Sequence, residues 1–183
     1  LGGSIKLTSA PNSQGNQSFS ISGDVAASFI KNYFANDLSP QVTNILHAMN
    51  GSAKYDGTIQ FNKGGSETNL KLDLRDWGSN TPAPMKKSAG TPLSGQVTVK
   101  ANSESNTSRI TWNGKIGDQY HVQGELGKDD DIRQAIGIGA PANLPQQGVQ
   151  LNIASNELNL DAWQDFLGAQ TKNSNAIKNN KPS

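Results

Sequence analysis

The chain holds no cysteine, which removes disulfides, thiolate nucleophiles and sulfur-ligated metal together. It is also poor in aromatic residues (6%) and in charge (17%), and only 33% of its 183 residues are hydrophobic. So little apolar material does not suit a tightly packed helical bundle, whereas abundant Gly, Ser, Asn and Thr suit half-polar strands joined by many turns. The formal net charge is +1 with acids and bases intermixed, so no basic field invites nucleic acid. No apolar run approaches the roughly 20 residues needed to span a bilayer, and no cationic stretch leads into an apolar one as in a signal peptide. There is no Gly-x-Ser-x-Gly elbow and no P-loop. His47 and His121 belong to no metal spacing. Asp129-Asp130-Asp131 lacks the spaced oxygen ligands of a calcium loop and reads as a solvated turn. No metal, no cofactor and no enzymatic activity are expected.

What the chain has is alternation. Between Ser66 and Ala101, one strand places Leu70, Leu72 and Leu74 on one face and Asn69, Lys71 and Asp73 on the other. A second alternates Leu93, Val97 and Val99 with Ser94, Gln96, Thr98 and Lys100. Period-2 patterning of this kind marks a sheet with one dry and one wet face. The connection between them carries Pro82, Pro84, Pro92 and Gly90, too proline-rich for helix and too long for a hairpin turn.

The same pattern recurs along the chain. Ile5 and Leu7 suggest a first strand, a loop spans Pro11 to Gln17, and Phe19, Ile21 and Gly23 mark a second strand. Asp24 is placed to cap a helix whose broad apolar face is Val25, Ala26, Phe29, Ile30, Tyr33 and Phe34. A short second helix is expected from Pro40 to Met49, with Ser39 as cap and Val42, Ile45, Leu46 and Met49 on its buried side. From Ser52 to Asn62, Ala53, Tyr55, Gly57, Ile59 and Phe61 share a face. Parity is kept across Asp56-Gly57, which favours one uninterrupted strand over a hairpin there, and Lys63-Gly64-Gly65 is the better turn.

Ile110, Trp112, Gly114 and Ile116 share a face, as do Tyr120, Val122, Gly124 and Leu126. Only an odd loop at Gly117–Gln119 keeps both sets on the same side; it sets Ile116 opposite Tyr120 and Trp112 opposite Gly124. Ile132, Ile136 and Ile138 suggest a further strand, Pro141 to Gln147 a loop, and Val149, Leu151 and Ile153 the last strand. Leu158, Leu160, Trp163, Phe166 and Leu167 form an amphipathic helix expected to start at Asp161.

SFSISGDVAASFIKNYF and QLNIASNELNLDAWQDFL share a plan of strand, small-residue break, acidic cap and apolar helix, an imperfect internal repeat. The expected organisation is a single β-groove domain over 1–169, with a second repeat unit beginning near 151 and cut short. A polar, Asn- and Lys-rich tail, 170–183, is expected to be disordered or a linker. A chain that begins at Leu1 without an initiator Met is expected to be a piece of a longer protein.

The order of these elements, with Thr81-Pro82-Ala83-Pro84-Met85-Lys86, Ala89-Gly90 and Leu160-Asp161-Ala162-Trp163, resembles the AsmA-like proteins of Gram-negative bacteria, specifically the YhdP branch. The resemblance covers roughly Ser18 to Leu167. Arg75-Asp76-Trp77-Gly78 departs from a stretch that is usually more apolar in that family. The resemblance implies a periplasmic bridge-like protein, held to the inner membrane by a segment outside this chain, that moves phospholipid to the outer membrane. Outer-membrane or periplasmic protein partners are further expectations of the same kind.

The fold expected on both grounds is mostly β with a few short helices, an antiparallel, twisted, open groove with amphipathic helices on or near its apolar face. The residues expected to meet lipid are Tyr55, Ile59, Phe61, Leu70, Leu72, Leu74, Leu93, Val97, Val99, Ile110, Trp112, Ile116, Tyr120, Val122, Leu126, Val149, Leu151 and Ile153. Trp112 and Trp163 read as packing anchors before ligand platforms. The competing architecture is a closed β-sandwich serving as an adhesion, glycan-binding or structural module, in which the same face would be dry core.

Overall fold

In the computed structural model, residues 3–10, 17–34, 40–102, 108–127 and 131–168 are described. The strands are β1 (Ile5–Ala10), β2 (Gln17–Ala26), β3 (Met49–Asn62), β4 (Gly65–Asp73) and β5 (Trp77–Ser79). They continue with β6 (Ser94–Asn102), β7 (Arg109–Ile116), β8 (Tyr120–Leu126), β9 (Ile132–Ile138) and β10 (Gly148–Ile153). Helix α1 is Ala27–Phe34 and α2 is Pro40–Ala48; α3 spans 160–168. One sheet runs in the order β1-β2-β3-β4-β6-β7-β8-β9-β10, with β5 beside the first residues of β3. Its two edges, β1 and β10, do not meet. The sheet is therefore open, the architecture of a groove and not of a closed sandwich or barrel.

The alternation dictates the register. With one face apolar, a slip of one residue would turn every apolar side chain to water. Ile116 pairs with Tyr120, Gly114 with Val122, Trp112 with Gly124 and Ile110 with Leu126, around a turn at 117–119. β3 runs unbroken through Asp56 and Gly57. It turns into β4 at Lys63-Gly64, where the Gly64 amide donates to Asn62 Oδ1 at 2.9 Å. On the wet face, cross-strand polar pairs hold neighbours together. Lys100 meets Glu67 at 3.1 Å, Thr98 Oγ1 donates to Asn69 Oδ1 at 2.7 Å, and Glu125 on β8 is flanked by Arg109 of β7 and Arg133 of β9.

Four local expectations are corrected. Asp24 caps no helix: β2 continues through Ala26, and the Asp24 carboxylate accepts from the Ser4 hydroxyl at 2.7 Å and the Ser4 amide at 3.3 Å. Val25 and Ala26 belong to that strand, and α1 starts at Ala27. The last helix starts one residue before Asp161, with Asn159 as its cap, its Oδ1 accepting from the Ala162 amide at 3.0 Å. Finally, β10 lies parallel to β9, although every other pair along the sheet is antiparallel. The connection 139–147 carries the chain back along β9 before β10 begins, as a parallel pair requires.

The loop at 11–16, Ser39, Asp129, Asp130 and the tail 170–183 lie outside the described residues, as do the side chains of Tyr33, Phe34 and Val42.

Burial is concentrated at one end of the sheet. Ala53 and Ile138 are each 3% exposed and Leu74 is buried beside them. There α1 rests on β2 and β3, and Lys31 of α1 donates to the His47 carbonyl near the end of α2 at 3.1 Å. The connection 74–93 folds over the same end, with β5 at its start. Its base is zipped by the Leu74 amide donating to the Leu93 carbonyl at 2.8 Å and by paired bonds between Ser79 and Lys87.

Candidate functional site

Strand pairing sets the dry-face residues into transverse rows. The first runs Ile5, Gly23, Tyr55, Leu72, Gly95, Ile116, Tyr120, Ile138, Ile153. The second runs Leu7, Ile21, Gly57, Leu70, Val97, Gly114, Val122, Ile136, Leu151. The third holds Phe19, Ile59, Val99 and Trp112 with Val149 at its edge, and the fourth holds Phe61, Ala101, Ile110, Leu126 and Ile132. Every strand residue expected from the sequence to meet lipid lies in these rows. Leu74 and Leu93 fall just outside β4 and β6, in the connection, and continue the first strand faces past the first row.

Exposure along this face is graded. Leu74 is buried; Tyr55, Ile59, Leu70, Leu72, Leu93, Val97, Val99, Trp112, Ile116, Tyr120, Val122 and Leu126 are half-buried. Phe61 (44% exposed), Ile110, Val149, Leu151 (57%) and Ile153 are exposed. In a closed core such side chains would be covered. Here the exposed ones lie along the two edge strands (Ile5, Leu7, Val149, Leu151, Ile153) and in the fourth row (Phe61, Ile110, Ile132), while the middle of the first three rows is half-buried. Phe19 and Phe61 meet edge-to-face at 5.9 Å between ring centres.

At the covered end, α1, the first two rows and the connection line an apolar cavity of about 430 Å³ that is open on one side. Two aromatic side chains clasp that connection. Tyr120 Oη donates to the Pro84 carbonyl at 2.7 Å, and Trp163 Nε1 of α3 donates to the Ala83 carbonyl at 2.8 Å. The Ala83–Pro84 peptide they bracket is cis. Trp163 also meets Phe166 edge-to-face, which makes it a packing anchor as expected. Burial pushes the Tyr120 hydroxyl pKa up from the usual tyrosine value, with the nearby Glu157 charge adding to the shift.

Seven cavity residues were not among those expected to meet lipid: Val25, Ile30, Met49, Ala53, Met85, Ile136 and Ile138. Ala53 was read on the face of Tyr55, and Val25 and Ile30 on the apolar face of the first helix; Met49, expected on the buried side of the second helix, instead opens β3. For Ile136 and Ile138 a signal existed, since they pair with Val122 and Tyr120 and share their parity. Ile30 had one too, as part of the apolar face of a helix expected on the dry side of the sheet; Met85 had none, because only the folded connection brings it over the sheet. Trp77, in the stretch that departs from the family pattern, also lines the cavity. Among the described residues no group of acidic or His side chains could hold a metal ion, and no helix is long and apolar enough to cross a membrane.

Comparison with known proteins agrees with the geometry. The family model described as YhdP protein matches residues 1–182. A curated relative, the Intermembrane phospholipid transporter YhdP of Escherichia coli (strain K12), is 29% identical over 123 residues, covering 62% of this chain and 9% of that protein. The chain thus spans 9% of the length of the curated relative it matches. No solved structure matches it.

Proposed function

The chain belongs to the YhdP family, and on that premise we propose that it is a segment of a periplasmic, bridge-like protein whose groove shields phospholipid acyl chains during transport between inner and outer membrane. The observation that carries this reading is the unpartnered dry face: rows of apolar side chains cross nine strands, and past the closed end nothing among the described residues covers them. An apolar face must be covered by another layer or by a ligand. Acyl chains laid on it gain roughly 0.8 kcal/mol per methylene removed from water. Because that gain is non-directional, a chain slides from one row to the next without breaking a specific bond.

The parent protein would be held at the inner membrane by a segment outside this chain, and residues 3–168 would form one domain-sized length of its groove. The strand–helix order of β10 and α3 repeats that of β2 and α1, which favours a second unit starting near 151. The chain's contribution on this reading is shielding, not chemistry.

Photo-crosslinking residues placed at Ile59, Leu72 and Val99 test it, with outward-facing Thr58, Lys71 and Thr98 as controls. Phospholipid adducts are expected from the first set alone. A folded, abundant chain giving adducts at neither set would sink the reading.

A further inference from the structure

We propose that the wet face of the sheet carries a binding cleft for an extended, uncharged glycan strand bearing N-acetyl groups, and that this strand is the glycan of the cell wall. Only the source rests on the periplasmic reading above. The site lies on the opposite side of the sheet from the apolar rows and does not depend on acyl-chain shielding.

Strand register builds the cleft. One wet-face row crosses the sheet from Thr8 on β1 to Gln150 on β10 without a charged member. From β3 to β8 it reads Thr58, Asn69, Thr98, Asn113, Gln123. It offers one hydroxyl or amide per strand, about every 4.8 Å, close to the rise of one sugar unit in an extended chain. A bank rises over β9. Its wet-face residues Ala135 and Gly137 are small and buried, Ala135 at 0% exposed, and residues 140 and 141 lie over them: a β-carbon on Gly137 would strike the Ala140 carbonyl. The Gly139 amide donates to the Gln119 carbonyl at 2.7 Å, and Asn152 Nδ2 donates to the Pro141 carbonyl at 3.1 Å, which fixes the bank in place. Between the bank and β6 lies an open cleft of about 710 Å³, lined among others by Gln96, Thr98, Asn113, His121, Gln123 and Pro141. A smaller one of about 300 Å³ continues it toward β3 and shares Gln96 and Thr98 with it.

The lining selects the ligand. The flanking charges are balanced: Lys115 meets Asp118 at 3.0 Å, Asp56 stands opposite Lys71, and Glu67 meets Lys100 at 3.1 Å. No net charge is left over to hold a phosphate or a carboxylate by charge-assisted bonds. An acyl chain would strip water from the amides and give them no partner in exchange. No Phe, Tyr or Trp lines either cleft, whereas those residues are enriched at protein–protein interfaces. What the cleft offers is amide. Among the described residues no hydrogen bond engages the side chains of Gln96, Asn113 or Gln123. Each carboxamide donates and accepts at once, the pattern that an acetamido group or a sugar hydroxyl presents in return. Ala140 and Pro141 set a methyl-sized apolar spot beside them, which suits the acetyl methyl.

The test titrates the purified full chain with the linear tetrasaccharide of N-acetylglucosamine and follows backbone and side-chain amide NMR signals. Concentrations up to about 10 mM reveal a Kd near 1 mM. Shifts are expected at the side-chain amides of Gln96, Asn113 and Gln123 and at the backbone of Ala140 and Ala142. Maltotetraose, which lacks N-acetyl groups, should bind several-fold more weakly, and glycerophosphoethanolamine should leave these signals in place. Asn113→Ala and Gln123→Ala should each weaken binding several-fold at an unchanged melting temperature. Asn113→Asp, which keeps the shape and loses the donor, should match Asn113→Ala. No shifts at the highest concentration, shifts outside the cleft, equal binding of maltotetraose, or full binding by the variants overturns the site. For the source, the chain should co-sediment with cell-wall sacculi stripped of protein, and Asn113→Ala should reduce the bound fraction several-fold. Tetrasaccharide binding without co-sedimentation, or co-sedimentation that the variant leaves unchanged, overturns the cell wall as source. Every one of these outcomes leaves the acyl-chain reading of the other face where it stands, to be decided by its own crosslinks.

Discussion

The indole of Trp112 on β7 lies across Gly124 on β8, in the space where a β-carbon on residue 124 would stand. The two are register partners, so the large ring of one strand is accommodated by the missing side chain of the next. Gly124→Ala would push a methyl into the ring and force Trp112 off its rotamer or further into the groove. Overpacking of this kind costs about 1–3 kcal/mol. Urea unfolding should show that loss, with a shift in tryptophan emission. A variant as stable as the parent with unchanged emission would show that Trp112 has room to spare.

Tyr120 and Trp163 reach the adjacent carbonyls of Pro84 and Ala83 from two different elements, one from β8 and one from α3. Tyr120→Phe leaves ring packing in place and deletes one bond, an expected loss of about 1 kcal/mol. Because both bonds hold one connection, the double variant Tyr120→Phe, Trp163→Phe should lose less than the sum of the singles. The pH dependence follows from the raised Tyr120 pKa. A phenol whose pKa is higher folded than unfolded favours folding while protonated, fully below about pH 10, and the contribution fades as pH rises through the folded value. Stability measured at increasing alkalinity should therefore fall more steeply in the parent chain than in Tyr120→Phe.

Much of the sheet was legible because a strand with one dry face writes its orientation into every second residue. Counting parity through Ile110–Leu126 was enough to place Trp112 opposite Gly124. What parity does not encode is where a strand goes next. Val149, Leu151 and Ile153 alternate as well in a parallel pair as in an antiparallel one, and the direction of β10 depends on the path of 139–147. Asp24 misled for a related reason: an acidic residue before an apolar run suits a helix cap and a strand end alike, and the partner that decided it, Ser4, is distant in sequence. The sheet side of the cavity (Leu72, Ile116, Tyr120, Val122) followed from parity, but its cover did not, since Met85 and Trp77 come from a connection whose path no periodicity encodes.

The Ser4–Asp24 contact fastens the edge strand β1 near its first residue. The Ser4 hydroxyl and then the Ser4 amide lower the Asp24 pKa, and Lys54 across the strand pair adds to the shift. A carboxylate with a lowered pKa favours folding above its unfolded value, about 3.9, and that contribution is lost as pH falls through the folded value. An NMR titration should find Asp24 below the usual aspartate range, and Ser4→Ala should move it back up. Amide protection in β1, corrected for intrinsic exchange, should fall in acid for the parent chain and lose that dependence in Asp24→Asn. An Asp24 that titrates normally would mean the contact is not held in solution.

Ile59 and Ile138 lie on the same face of the same sheet, yet a charge at each should have opposite consequences. Ile138 is 3% exposed at the covered end, whereas Ile59 is half-buried in the third row with no layer over it. Ile138→Asp places a carboxylate where no water and no cationic partner is free to meet it, which belongs to the few mutation classes that cost more than about 4 kcal/mol. Ile59→Asp leaves the carboxylate in reach of water, and the fold should lose only about 1 kcal/mol. Its effect should appear in function: lipid adducts at Val99, two strands away along the third row with Thr68 between, should fall sharply because an acyl chain must now cross a hydrated charge. Thermal melts of both variants, paired with crosslinking at Val99, separate the two roles. If Ile59→Asp unfolds the chain as Ile138→Asp does, the third row is core, and the groove is narrower than the sheet that forms it.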